Sequence, residues 1–402
     1  MSTPTLSAAR ISIIGAGPGG LTAARILQQR GIDVTVYDRD SGPRARNQGG
    51  SLDLHDDDGQ VALREAGLID QFFALARFEG QEMRILKPDG GIISHHVPEA
   101  GEAISPEIDR GQLRGLLLDS LIPGTIRWGH ELVSVSGNDA GPRTLTFDDG
   151  RTEEADLVIG ADGARSRVRA AVSAARPAYA GGTFLEAWFD EMDTEHPELV
   201  ELVGGGSATA SDGDRALFAQ RNSGGRMRVY VIQRATADWI AEAGLQPDDT
   251  TGIRAHLTTQ FASWSPALVR LITDNVGPYV DRPLFALPVP LTWQHSPNIA
   301  LLGDAAHLMP PLGVGVNLAM LDAAELAVAI ASASSLDEAV TAYESTMIPR
   351  SSEIAQMLDG GVEMLFDGRA WELGADDGPG DRDDEARPPR TTTSPEARPT
   401  RS

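Results

Sequence analysis

The chain contains no cysteine, and this absence excludes disulfides, thiolate metal sites and a catalytic thiol. Lys87 is its only lysine, so arginine supplies almost all of the positive charge. No apolar run reaches the roughly 18 residues that a membrane-spanning helix needs. The opening "MSTPTLSAAR" lacks the basic start and apolar core of a secretory signal. We therefore expect a cytoplasmic protein.

Acidity is the main feature of the composition. The formal net charge is −24 over 402 residues, which argues against nucleic acid or an anionic membrane as a partner. The length is sufficient for two or three domains. We expect a monomer whose partner is a small molecule.

A glycine-rich turn follows the first predicted strand in "ISIIGAGPGGLTAARILQQRGIDVTVYDRD". Gly15, Gly17 and Gly20 fit the G-x-G-x-x-G spacing, in which the glycines permit a tight turn, close approach of a pyrophosphate, and packing of helix on strand. Asp38 ends the second predicted strand, where an acidic residue can hold a ribose, and Arg39 can contact the adenosine. The alternatives are a purely structural turn and a surface arginine. The context favours dinucleotide binding.

The pattern of predicted elements indicates an α/β fold. The opening strand, helix and strand predict a Rossmann-like dinucleotide-binding domain, interrupted by an inserted domain with a mixed β-sheet and followed by a C-terminal helix. The stretch Pro106 to Leu121 reads as a helix, and so does Leu336 to Leu365. The predicted parts are 1–75, 100–175 and 283–330 for the dinucleotide-binding domain, 76–99 and 176–282 for the inserted domain, 331–372 as helical segment, and 373–402 as disordered tail.

Two further motifs carry a family resemblance. "DLVIGADGARSRVR" and "GDAAHLMPP" resemble the Asp-Gly and Gly-Asp motifs of the FAD-dependent aromatic hydroxylases, the class A flavoprotein monooxygenases. With the glycine turn, three motifs stand in the family's order over about residues 10 to 370. The resemblance implies FAD as cofactor and the α/β fold of that family, in which the Rossmann-like domain binds FAD and the inserted mixed β-sheet domain binds the substrate.

The stretch "LLGDAAHLMPPLGVGVN" has a physical interpretation beside a flavin. Asp304 can accept hydrogen bonds from ribityl or ribose hydroxyls, and prolines stiffen the turn by fixing φ. Glycines let the backbone lie against the ring. A helix that begins near Val316 directs its N-terminus at the negative charge of reduced flavin. His307 is interpreted as a packing and hydrogen-bonding residue rather than a catalytic one.

Within that family the chain most resembles the tetracycline-inactivating monooxygenases, through "VYDRD", "ARNQGGSLDLH", "PEIDRGQLR" and "GDAAHLMPP". The resemblance implies that Asp53 lies beside the flavin and that Arg110 contacts the FAD phosphates and ribityl chain. The loop "PPLGVGVN" is one residue shorter than the family pattern and lacks its glutamine. In the substrate domain, the resemblance identifies Phe218 and Arg228 as the positions that match those enzymes.

The resemblance predicts two groups of site residues. The predicted cofactor-binding residues are Gly15, Gly17, Gly20, Asp38, Arg39, Asp53, Arg110, Asp162, Asp304, Pro311, Gly315, Val316 and Asn317. The predicted substrate-binding residues are Phe218, Arg228, Pro310 and Gly313. Asp162 and Arg165 are also candidates for the step in which NADPH or NADH meets the flavin.

The implied reaction is hydroxylation of an electron-rich aromatic or enolic polycyclic molecule, with tetracycline as one candidate. NADPH or NADH reduces the flavin, O2 then gives a flavin C4a-hydroperoxide, and one oxygen passes to substrate carbon. Two alternatives stay open: a non-oxygenating FAD-dependent reductase or dehydrogenase on the same fold, and a binding protein that holds FAD structurally.

Two other readings of small features have little support. The sequence has no G-x-S-x-G elbow of a Ser-His-Asp hydrolase. The aspartates of "LHDDDG" at 54–59 favour a solvated turn over a metal site, because adjacent aspartates do not share a face. No metal and no catalytic side chain are therefore predicted.

Overall fold

The computed structural model describes residues 9–367. One sheet has five short parallel strands, three of which are fully buried runs of mainly apolar residues, as is typical of parallel sheets. These strands are β1 (Ile11–Ile14), β2 (Val34–Asp38), β7 (Ile126–Trp128), β11 (Leu157–Gly160) and β17 (Ile299–Leu301). Their order across the sheet is β17-β11-β1-β2-β7. Helix α1 (Pro18–Gln29) joins β1 to β2, which confirms the predicted βαβ unit.

A second sheet of seven strands is antiparallel except where β13 pairs with β4. Its strands are β4 (Met83–Leu86), β5 (Ile92–His96), β12 (Ala178–Phe189), β13 (Ser207–Asp212), β14 (Arg215–Asn222), β15 (Arg226–Arg234) and β16 (Val276–Ala286). The order is β16-β12-β15-β14-β13-β4-β5. One face forms an apolar core with the helices that follow β12 and β15. Those helices are α5 (Met192–Glu195), α6 (Pro197–Val203), α7 (Trp239–Glu242), α8 (Thr250–Gln260) and α9 (Pro266–Thr273).

The remaining elements connect or cover the two large sheets. Two small antiparallel sheets pair β3 (Ser51–Asp53) with β6 (Glu107–Asp109), and β9 (Arg143–Phe147) with both β8 (Leu132–Ser136) and β10 (Thr152–Ala155). The remaining helices are α2 (Gly59–Glu65), α3 (Ile69–Phe73), α4 (Arg110–Asp119), α10 (Asp304–His307), α11 (Gly315–Ser332), α12 (Leu336–Met357) and α13 (Gly361–Asp367).

Two predicted helices differ in extent from those in the structure. The predicted helix from Pro106 begins only at Arg110, because Glu107–Asp109 pair with β3 and bury Ile108. The predicted helix from Leu336 is broken between α12 and α13, where Gly360 has φ +77°. The predicted tail at 373–402 lies outside the described residues.

Helix α11 is 18 residues long, with a mean hydropathy of 1.4, and is long and apolar enough to cross a membrane by those criteria alone. In the structure it packs beside α1 as a core helix, with Met320, Ala323 and Ala327 fully buried. A Cβ placed on Gly19 would lie 2.8 Å from the Ala319 carbonyl oxygen. The two helices therefore approach closely only because Gly19 has no side chain.

A buried carboxylate in α11 holds the end of β17 in place. Asp322 is fully buried and accepts hydrogen bonds from the Gly303 backbone N–H (3.0 Å), His307 Nε2 (2.6 Å) and Arg350 Nη2 (2.8 Å). Burial opposes the charged form of His307, but Asp322 raises its pKa overall. His307 thus forms a buried ion pair inside the core.

We expect Asp322→Ala to lower the free energy of unfolding by about 3–5 kcal/mol, because it leaves the buried charge of His307 without its carboxylate partner and leaves Arg350 paired with Glu325 alone. Chemical denaturation monitored by circular dichroism measures the loss. Glu198→Ala is the control, since it removes an exposed pair with Arg270 and should leave the free energy of unfolding almost unchanged. Equal losses in the two variants would contradict the structural role of Asp322.

Candidate active site

The glycine-rich turn leaves open space at one glycine and tight contacts at the other two. Gly15 has φ +110°, and a Cβ there would lie 2.3 Å from the Ala161 carbonyl oxygen. A Cβ on Gly20 would lie 2.1 Å from the Gly15 carbonyl oxygen. A Cβ on Gly17, at the N-cap of α1, would meet nothing within 4 Å. The free space at Gly17 is where a phosphate can approach the N-terminus of a twelve-residue helix.

Two side chains fix the peptide groups of Ala16 in this turn. The Asp38 carboxylate accepts hydrogen bonds from the backbone N–H groups of Ala16 (2.6 Å) and Asp40 (2.8 Å). Arg114 Nε donates to the Ala16 carbonyl oxygen at 3.1 Å, and Arg114 is almost fully buried. Arg39 is exposed beside Asp38. Sequence reasoning missed Arg114, although its spacing of four residues from Arg110 places both on one face of α4.

The Asp-Gly motif forms a closed turn. The Asp162 carboxylate accepts hydrogen bonds from Ser166 Oγ (2.6 Å) and the Arg167 backbone N–H (2.6 Å), and burial raises its pKa. Arg169, which sequence reasoning also missed, is buried and donates to the Ala305 carbonyl oxygen at 3.0 Å. This bond ties the Asp-Gly turn to the Gly-Asp motif. Arg165 is exposed.

Asp304 and Arg110 carry charged groups that no described residue pairs with. Asp304 is the first residue of α10, is exposed, and its carboxylate accepts no hydrogen bond within residues 9–367. Protein atoms around this carboxyl desolvate it and raise its pKa. The Arg110 guanidinium, in a part-buried residue, likewise makes no hydrogen bond or ion pair with a described residue. Two neighbouring opposite charges with unused hydrogen-bonding groups fit a polar cofactor.

The loop after α10 lies against the strand that carries Asp53. Asn317 is fully buried; its Nδ2 donates to the Asp53 carbonyl oxygen (3.0 Å) and its Oδ1 accepts from the His55 backbone N–H (3.1 Å). A Cβ on Gly313, which has φ +91°, would lie 3.8 Å from Asp53 Oδ2. A Cβ on Gly315 would lie 4.0 Å from Asp304 Oδ1. The shortened loop thus still brings Asp53 and Asp304 close to its glycines.

The prolines and the start of α11 complete this loop. Pro310 is part-buried and Pro311 is exposed, and Gly361 of α13 lies against Pro310. Helix α11 begins at Gly315, one residue before the predicted Val316, which is part-buried. The N-terminus of α11 is therefore at the end of the loop, as a flavin site on this loop requires.

The second face of the seven-stranded sheet presents aromatic and charged residues. Phe218 and Tyr230 are cross-strand partners on β14 and β15, and α13 packs on the same face through apolar residues. Arg228 is buried, stacks on the Tyr230 ring at 4.5 Å, and donates to Gln220 Oε1 at 2.5 Å. Glu186 accepts from Arg282 Nε at 2.7 Å. Sequence reasoning missed Glu186, Tyr230 and Arg282, which cross-strand register alone brings together.

The residues of "LHDDDG" form a hydrogen-bonded turn. His55 Nε2 lies 3.0 Å from Asp53 Oδ2, and its Nδ1 lies 3.6 Å from Asp58 Oδ2. Asp58 also caps α2 by accepting from the Gly59 backbone N–H at 2.5 Å. Asp57 is exposed, and with His55 and Asp58 it groups three potential ligand atoms within 4.8 Å. Because each imidazole nitrogen of His55 lies beside a carboxylate, these residues form an ion-paired turn.

We expect the free energy of unfolding to depend on the charge of His55 between pH 6.5 and 10. Burial opposes that charge, but hydrogen bonds to Asp53 and Asp58 raise the pKa of His55 from 6.5 to about 10. The pairing therefore stabilises the fold fully below pH 6.5 and is lost as the pH rises through 10. The Tm difference between the wild type and His55→Gln should shrink across that window. A constant difference would show that the imidazole is uncharged.

Comparison with known proteins identifies the family of this chain. The family described as FAD binding domain matches residues 8–261 and 288–357. Monooxygenase penA of Penicillium thymicola is 31% identical over 406 residues, covering 87% of this chain and 93% of that protein. Relatives named as monooxygenases give no support to the non-oxygenating alternative.

Solved structures share the fold. HpxO of Klebsiella pneumoniae, complexed with FAD and uric acid, has a TM-score of 0.75 at 22% identity, covering 92% of this chain and 94% of that one. The tetracycline destructase Tet(51) has a TM-score of 0.66 at 19% identity, covering 92% and 97%. The predicted fold class and its resemblance are confirmed. The chain therefore belongs to the FAD binding domain family and is an FAD-dependent monooxygenase.

Proposed function

We propose that this enzyme hydroxylates an electron-rich aromatic or enolic polycyclic molecule, using NADPH or NADH and O2. The observation that carries the proposal is that Arg110 and Asp304 lie close enough to interact electrostatically, yet neither has a hydrogen-bonding partner for its side chain among the described residues. Arg110 and Arg228 of the seven-stranded sheet both lie near Gly49, and Asp304 lies near Gly315 of the loop before α11. Polar groups on one side and aromatic groups on the other match a cofactor and a ring-shaped substrate.

The predicted cofactor residues form three groups, and each group would contact a different part of the cofactor. Gly15, Gly17 and Gly20 would cradle the pyrophosphate, with Asp38 and Arg39 at the adenosine end. Arg110 and Asp304 would hold the phosphate, ribityl or ribose groups. Asp53, Pro311, Gly315, Val316 and Asn317 would lie at the flavin ring. The space at Gly17 and the unused groups of Arg110 and Asp304 support this fit.

Bound FAD supplies the redox chemistry, which takes a hydride from the nicotinamide and transfers one oxygen atom from O2 to carbon. The protein provides position and electrostatics. The N-terminus of the 18-residue α11 would stabilise negative charge on a reduced ring. Phe218, Pro310 and Gly313 would line the space for the substrate. The apolar residues of α13 would exclude water from it.

Asp162 has a different proposed role from the one first expected of it. Its oxygens already accept bonds from its own turn, so we propose that it positions the Asp-Gly motif. The exposed Arg165 stays a candidate for contact with the nicotinamide cofactor. We also propose that the enzyme is a cytoplasmic monomer, divided into a cofactor domain and a substrate domain at the predicted boundaries.

Turnover with a tetracycline tests the reaction directly. We expect the purified enzyme to oxidise NADPH faster in air when a tetracycline is present, and to form a product heavier by one oxygen. Mass spectrometry under 18O2 identifies the source of that atom. A faster oxidation without oxygen in the product would contradict oxygenation, and no change in rate would exclude this drug as substrate.

Asp304→Ala should reduce the FAD content of the purified protein by at least tenfold, because it removes the acceptor for cofactor hydroxyls in the cleft. The ratio of absorbance at 450 and 280 nm measures this content. Asp337→Ala, on an exposed carboxylate that pairs with His295, is the control and should keep full content. A fully yellow Asp304→Ala protein would refute the role of Asp304.

A further inference from the structure

Two carboxylates lie close to the loop that precedes α11. A Cβ on Gly313 would lie 3.8 Å from Asp53 Oδ2, and a Cβ on Gly315 would lie 4.0 Å from Asp304 Oδ1. The Asp53 side chain is 39% exposed, so its carboxylate lies at the surface of this loop rather than beneath it. A ligand bound against the loop therefore meets the negative charge of Asp53.

His55 is the cation that meets the Asp53 carboxylate. Its Nε2 lies 3.0 Å from Asp53 Oδ2, and its Nδ1 lies 3.6 Å from Asp58 Oδ2. Among residues 9–367, no other basic side chain forms an ion pair with Asp53. Burial opposes the charge of His55, but the two aspartates raise its pKa to about 10. The imidazole is therefore a cation at neutral pH.

The backbone around His55 is held by contacts that do not depend on its charge. Asn317 Oδ1 accepts a hydrogen bond from the His55 backbone N–H at 3.1 Å, and the Gln60 backbone N–H donates to the His55 carbonyl oxygen at 2.9 Å. A Cβ on Gly59 would lie 2.3 Å from Asn317 Oδ1, so α2 approaches this amide only because Gly59 lacks a side chain. Replacing the imidazole should thus change the charge beside Asp53 and leave the turn in place.

The charge of this pair matters for a ligand that gains electrons. A lone carboxylate beside a flavin ring opposes reduction, because the reduced ring is negative and like charges a few ångströms apart repel each other. The repulsion is strongest where protein excludes part of the water. A cation paired with the carboxylate cancels most of this repulsion.

We propose that His55 is a positioning residue of the flavin site, which neutralises and orients the Asp53 carboxylate and thereby raises the reduction potential of bound FAD. This inference rests on the proposed function, which places Asp53 at the flavin ring. His55 acts through Asp53 and needs no contact with the cofactor. Hydride transfer from the nicotinamide to FAD is then more favourable than it would be beside an unpaired carboxylate.

The test measures the midpoint potential of FAD bound to the wild type and to His55→Gln at neutral pH, by equilibration with a redox dye of known potential. Glutamine keeps a hydrogen-bond donor at this position and removes the charge. We expect the equilibrium constant for two-electron reduction to fall at least tenfold, which corresponds to about 30 mV. The same potential in both proteins would overturn the proposal.

A double variant separates an effect of charge from damage to the structure. Asp53→Asn combined with His55→Gln has the same net charge as the wild-type pair. Its equilibrium constant for reduction should return to within threefold of the wild-type value. A constant that stays as low as in His55→Gln alone would assign the effect to the structure of the turn and refute the electrostatic role.

His295→Gln is the matched control. His295 also lies between two carboxylates, with its Nδ1 2.6 Å from Glu344 Oε2 and its Nε2 3.0 Å from Asp337 Oδ1, but both of these belong to α12. This variant should keep the wild-type potential. A fall as large as that in His55→Gln would show that the effect does not arise beside Asp53, against the proposal.

The content of FAD and the turnover distinguish this inference from the proposed function. If His55→Gln does not retain FAD, Asp53→Asn alone decides, and its equilibrium constant should exceed the wild-type value at least threefold; an unchanged constant would contradict the inference. A potential that depends on His55 in an enzyme that oxygenates no substrate would refute the proposed function alone. Oxygenation together with a potential that does not depend on His55 would refute this inference alone.

Discussion

The carboxylate of Asp322 connects the core of this enzyme to its cofactor cleft. It binds the Gly303 backbone N–H, His307 and Arg350 from one buried position in helix α11. Gly303 directly precedes Asp304, so this buried charge holds the backbone next to the Asp304 carboxylate. The helix that provides this charge also directs its own N-terminus at the same loop. Helix α11 therefore contributes both to the position of Asp304 and to the electrostatics of the loop beside it.

The second constraint on the fold is the close approach of neighbouring backbone segments at glycines. Gly15, Gly20 and Gly19 each stand where a Cβ would overlap a carbonyl oxygen, and these contacts pack α1 against the parallel sheet and against α11. Gly17 differs, because its missing side chain opens space rather than closing a contact. One short turn therefore combines three glycines that tighten the packing with one that leaves room for a ligand.

The distribution of charge in the chain is uneven. The whole protein is strongly acidic, yet Arg110, Arg228 and Arg282 lie close enough together to interact, and among residues 9–367 Glu186 forms a close ion pair with Arg282. The carboxylate of Asp304 also interacts with Arg110. Tertiary placement brings these charges together, which the composition alone does not show.

The sequence by itself determined the elements whose causes are local. The βαβ unit, the glycine turn and the helix after "PPLGVG" follow from periodicity and from steric limits within a few residues. Tertiary structure alone decided how distant residues meet. The strand at Glu107–Asp109 exists because β3 pairs with it, and Asn317 joins α11 to Asp53 over 264 positions. Arg110 and Arg228 meet at Gly49 and Gly50 for the same reason. Such contacts depend on how two sheets pack, and no local pattern encodes that packing.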